Sequence, residues 1–145
     1  MDPRQNPENL VFGKHLTFFE EPDTIYMRLS GDVNDAEGLE VLRRHCAMAE
    51  GRKMMFYLMD CPDMAGLTPG ARKSVAQLLK DMPLYGTAAF KAGIKARVIA
   101  KLVVTALNLF RKETVNNNPL EFFDTEEEAR QWIAERREKF KHVLA

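Results

Sequence analysis

The chain is short of the residues that most often announce a function. Among 145 residues there are two cysteines, one tryptophan and three histidines, and the 21 Lys and Arg cancel the 21 Asp and Glu. Cys46 and Cys61 have no CxxC spacing, so they set neither a disulfide framework nor a zinc site; they read as reduced thiols of a cytoplasmic protein. Zero net charge gives no general pull toward nucleic acid or an anionic membrane. The longest apolar stretch, VIAKLVVTALNLF (98–110), is interrupted by Lys101 and is too short to span a bilayer. The polar opening MDPRQNPENL is unlike a secretory leader. There is no GxSxG, P-loop or GxGxxG run, and His15, His45 and His142 fall on separate predicted elements. Nothing pairs a nucleophile with a base, so neither an enzyme nor a cofactor or metal site is expected.

What is present describes a globular domain. The apolar fraction is 46% and the charged fraction 29%, ordinary for a packed core, and the length suits one domain. Residues 1–13, rich in Pro, Asn and charge, predict a flexible N-terminal arm, with the domain over 14–145. HLTFFE (15–20) and TIYMRLSG (24–31) predict a hairpin across the turn formers EPD. KMMFYLMD (53–60) is apolar nearly throughout, as a strand covered on both faces is. LYGTAAF (84–90) and LEFF (120–123) predict two further strands.

Four helices alternate with these strands. The first, over 34–50, has Asn34 as N-cap and Leu39, Leu42, Cys46 and Ala49 at helical spacing, stopping at Gly51. The second starts at Thr68 with Pro69 at its first position, where the missing N–H costs nothing, and runs to about 80 with Val75, Leu78 and Leu79 inward. The third, 95–111, places Val98, Ile99, Leu102, Val103, Ala106, Leu107 and Phe110 on one broad face. The fourth, 125–140, opens with the capping box Thr125 and Glu128. The order ββαβαβαβα predicts an α/β fold, with a mixed, mostly parallel five-stranded sheet and four helices. An exposed edge at 15–20 would need covering, which a homodimer would do.

Two segments resemble a known family: the strand–loop–helix unit FYLMDCPDMAGLTPGARK (56–73) and the ending PLEFFDTEEEARQWI (119–133). Together with the element order they are similar to the STAS family (sulphate transporter and anti-sigma-factor antagonist domains), in particular its bacterial SpoIIAA-like members, over roughly residues 14–138. The resemblance implies a cytoplasmic signalling module that binds a protein partner, such as an anti-sigma-factor-like kinase, and is switched by phosphorylation at the helix start after the central strand. The matching position is Thr68, which the residues alone read as a helix cap. Asp60, Asp63, Met64, Gly66, Pro69 and Arg72 would surround it as the partner surface.

A second segment stands out by charge. No acidic residue lies between Asp81 and Glu113, whereas Lys91, Lys95, Arg97, Lys101, Arg111 and Lys112 are basic. Uncompensated charge leading into a helix start suits an anion. The alternative function is therefore binding of a small anionic ligand, a lipid or a nucleotide, at 91–101. The segment lacks the interleaved aromatics of a nucleic-acid site.

Overall fold

The computed structural model describes residues 2–109 and 118–145. Eight strands and four α-helices follow in the order β1 (Leu10–Val11), β2 (His15–Glu20), β3 (Thr24–Arg28), β4 (Gly31–Val33), α1 (Asp35–Ala49), β5 (Met55–Asp60), β6 (Met64–Leu67), α2 (Pro69–Leu78), β7 (Leu84–Phe90), α3 (Ile94–Leu109), β8 (Leu120–Phe123) and α4 (Glu126–Phe140). The main sheet has the order β1-β2-β3-β5-β7-β8. The first three strands are antiparallel neighbours, and β3, β5, β7 and β8 run parallel.

The apolar run of β5 divides by period two, as a strand between two layers must. Met55, Tyr57 and Met59 join Val33, Leu42, Ala71, Val75, Ala96 and Leu107 in a core under α1, α2 and α3. Phe56 and Leu58 face the other way and pack with Leu16, Phe18, Tyr26, Ala129 and Ile133 beneath α4. The caps predicted from sequence form. Asn34 Oδ1 accepts from the Glu37 N–H at 2.8 Å while Glu37 accepts from the Asn34 N–H at 3.2 Å, and Thr125 and Glu128 do the same for α4.

Four details differ from the sequence expectation. The predicted arm ends in β1, where the fully buried Val11 pairs with His15; two residues are too few to show a period. This strand pairs with His15 and Leu16, so β2 is not the edge strand along its first two residues. The second hairpin strand stops at Arg28, because Gly31 takes a φ of +73° and turns the chain. Gly31–Val33 then pairs with Met64–Leu67 as a separate two-stranded parallel sheet, so the strands number six plus two rather than five. Finally, α3 is rotated. Ala96, Ala100, Val104 and Leu107 are its buried residues, and Val98 and Leu102 face outward. Small residues let the helix axis approach the sheet, so the inner face is not the one with the largest side chains. Phe110 and Arg111, expected at the end of this helix, and Lys112 lie outside the described residues.

Candidate functional site

The β4–β6 sheet sets the starts of α1 and α2 side by side. Thr68 leaves β6 with its N–H bonded to the Val33 carbonyl at 3.0 Å, and its Oγ1 accepts from the Ala71 N–H at 3.2 Å as the N-cap of α2. The same hydroxyl donates to Asp35 Oδ1 at the start of α1. Both hydrogen-bonding roles of Thr68 are thus filled. Gly70 leaves room beside it for the Asp35 carboxylate, which a Cβ there would push aside, since it would lie 2.3 Å from Oδ2. The two helices touch closely one turn on, where a Cβ on Gly38 would meet the Ala71 Cβ at 2.9 Å. A phosphate on Thr68 would lose the donor bond to Asp35 and set two anions together, although Arg72 and Lys73 stand exposed one turn along.

The other predicted residues of this surface separate into two groups. Asp63 and Pro69 are exposed, Gly66 lies half-buried against Asp32, and Asp63 accepts the Gly31 N–H through its backbone carbonyl at 2.7 Å. Met64 is buried and packs inward. Asp60 belongs elsewhere. As the last residue of β5 it points with Phe56 and Leu58 toward the α4 side, is 8% exposed, and accepts the Tyr26 hydroxyl at 2.9 Å on Oδ2. Its Oδ1 has no hydrogen-bond partner among the described residues. Burial first, and then this bond to Asp60, raise the Tyr26 pKa. Burial also pushes the neighbouring Cys61 thiol up to about 12.

In the basic segment, Lys91, Lys95 and Lys101 are exposed and make no ion pair among the described residues. Arg97 is engaged: its Nε donates to the Ala92 carbonyl at 3.0 Å and its guanidinium covers the Phe122 ring at 4.8 Å. Lys101 Nζ stands 5.9 Å from the same ring.

The sequence reading missed two buried histidine networks. Thr17 Oγ1 donates to the Tyr26 carbonyl at 2.8 Å, so His45 Nε2–H must donate to that hydroxyl, also at 2.8 Å. His45 Nδ1 is then the acceptor for the Tyr57 hydroxyl at 2.9 Å. The imidazole is held neutral, its pKa lowered to about 3 by burial. His15 is equally buried: the Ser30 N–H donates to its Nδ1 at 3.1 Å, and its Nε2–H donates to Glu37 at 3.1 Å. That bond is the main cause of the lowered Glu37 pKa. Neither ring has a nitrogen left for a substrate. A lone histidine on an apolar helix face gives no sequence signal of this kind.

Between the sheet and α1–α3 lies a cavity of about 70 Å³, lined by Met27, Met59, Met64, His45, Tyr57 and Val104 among others. Apolar cavities that hold a benzene-sized guest measure about 150 Å³. Among the described residues no three His, Cys, Asp or Glu side chains gather as a metal site, and no helix is long and apolar enough to cross a membrane.

No family model and no curated protein matches the sequence. Among solved structures, the chain is similar to an uncharacterized protein of the DUF3478 family with a SpoIIAA-like fold from Shewanella loihica PV-4, with a TM-score of 0.60 over 82% of this chain and 93% of that one. Sequence identity is 14%. The likeness extends to the architecture, and the fold is SpoIIAA-like.

Proposed function

We propose that the protein is a non-enzymatic regulatory module that binds a protein partner on the surface formed by the paired starts of α1 and α2, in the cytoplasm. The observation that carries this reading is the exposure of Pro69, Arg72 and Lys73 beside a Thr68 whose hydroxyl is already bonded to Asp35 and to the Ala71 N–H, with exposed Asp63 at the other end of β6. The SpoIIAA-like fold supports it, because the STAS regulators that the sequence resembles dock through this region. In this account Thr68 acts as a cap, and partner binding does not need its phosphorylation.

A photo-crosslinking residue in place of Arg72, in cells that naturally express the protein, tests the proposal. A discrete protein adduct absent from an Ala134 control on α4 is expected. No adduct at Arg72 under any growth condition would overturn it. Mass analysis of the same preparations reads Thr68 directly, and stoichiometric phosphate there would contradict the cap role.

Binding of a small anionic ligand at 91–101 is the second reading, favoured by three exposed lysines that have no ion pair among the described residues. A thermal shift with acidic lipids or nucleotides would support it: a ligand at a hundred times its dissociation constant adds about 2.7 kcal/mol.

A further inference from the structure

The outer face of α3 is apolar where a surface helix is ordinarily polar. Ile94 is 86% exposed, Val98 52%, Leu102 54% and Leu109 76%. At about 100° per residue these four side chains and Thr105 fall within a stripe about 80° wide. Lys101 lies at one margin of the stripe and Lys95 at the other. Val98, Leu102, Thr105 and Leu109 follow the 4-3-4 spacing of a coiled-coil seam, and the seam plus Ile94 runs about 22 Å along the helix. No acidic residue occurs from 82 to 112, so the helix itself carries only basic charge at its margins, while Glu121 of β8 lines the cleft beside Lys101, Thr105 and Leu109.

We infer that this face docks an acidic amphipathic helix of a protein partner, with Leu- or Ile-type residues entering the seam and Asp or Glu opposite Lys95 and Lys101. The inference rests on reading the protein as a docking module and adds the kind of segment that it takes. Width decides between occupants. An apolar stripe that covers a broad surface spans 100° or more, and an 80° stripe is the narrower seam that one facing helix fills. Helices that lie in a bilayer interface commonly carry Trp or Phe on their apolar side; this stripe has no aromatic residue and has Thr105 in its middle. Charge argues against a second copy of α3, which would bring the lysines of one helix against those of the other. A partner helix of about 15 residues, crossing at about 20°, matches the seam in length and in packing.

The test uses the full chain and two 21-residue peptides with the same heptad leucines, one flanked by glutamate and one by lysine. Amide shifts in NMR titrations are expected at 94–109 with the acidic peptide, and affinity at least tenfold weaker for the basic one. Val98→Glu and Leu102→Glu, at exposed positions, should each weaken acidic-peptide binding at least tenfold without changing the unfolding temperature. Lys95→Glu with Lys101→Glu should reverse the preference between the peptides. Equal affinity for both peptides, or none for the acidic one, overturns the inference. So does capture by phosphatidylglycerol vesicles that Leu102→Glu abolishes, which would assign the face to a bilayer, or a dimer in sedimentation that Leu102→Glu dissolves. An adduct at Arg72 with no binding at α3 would leave the docking-module reading standing and remove only this one.

Discussion

Replacing His45 with leucine removes an imidazole that the fold holds neutral between α1 and the sheet. Its pKa is lowered to about 3 by burial, against about 6.5 in an unfolded chain. Below pH 6.5 the unfolded state therefore takes a proton that the folded state refuses, and stability falls as pH drops from 6.5 toward 3. Between pH 7 and pH 5 the loss is about 2 kcal/mol, roughly 6 °C in unfolding temperature for a domain of this size. The depressed carboxylates Glu37 and Glu126 contribute in the opposite range: their stabilisation is complete above the ordinary carboxylate pKa and is lost only as pH falls below it. His45→Leu should abolish the slope between pH 7 and 5. At pH 7 it should cost about 1–3 kcal/mol, because the Tyr57 hydroxyl is left buried without its acceptor. Adding Tyr57→Phe should recover part of that cost. Urea unfolding at the two pH values reads all three. A wild-type stability that is flat from pH 7 to 5, or a slope that survives His45→Leu, would refute the reasoning.

Three further substitutions probe the frame that holds the candidate site. Gly38→Val should destabilise by about 3 kcal/mol, since the added atoms meet the Ala71 Cβ and backbone of α2 rather than a flexible side-chain end; an unchanged midpoint in urea would refute the close helix contact. Arg137→Met should cost about 3 kcal/mol, because Asp23, 4% exposed, loses the guanidinium that binds it at 2.8 and 2.9 Å; a loss below 1 kcal/mol would show that Asp23 is satisfied by other groups. Thr68→Ala should cost about 1 kcal/mol through the lost cap and leave partner adducts at Arg72 intact. Adducts that vanish while the protein stays folded would show that the hydroxyl itself is recognised.

Strong local chemistry was legible in the sequence. The two-faced apolar run of β5, the caps at Asn34 and Thr125, and Pro69 behind Thr68 each specify their structure through immediate neighbours. Features set by distant partners were not. β1 is two residues paired across a turn, and β4 and β6 find each other only after the intervening helix and strand are placed. The rotation of α3 depends on how near Ala96 and Ala100 let it come to the sheet. A hydrophobicity count put Val98 and Leu102 inside, and their exposure is what creates the second candidate surface. The burial of His45 escaped for a related reason: the α1 stripe turns to Gly38, Val41, Leu42 and His45, and the polar partners that make the ring's burial possible, Thr17 and Tyr57, come from distant strands. Asp60 and Asp63 are close in sequence, yet Asp60 at the end of β5 points to the α4 side of the sheet.

The most direct test of the account is photo-crosslinking in the native cell from Arg72, beside Val98 on the second surface and the Ala134 control. The account predicts a discrete protein adduct at Arg72, an adduct at Val98 whose crosslinked segment is an acidic, heptad-spaced helix, and none at Ala134. Adducts of equal strength at all three positions, or none at Arg72, would contradict the claim that this SpoIIAA-like domain works by docking a partner there.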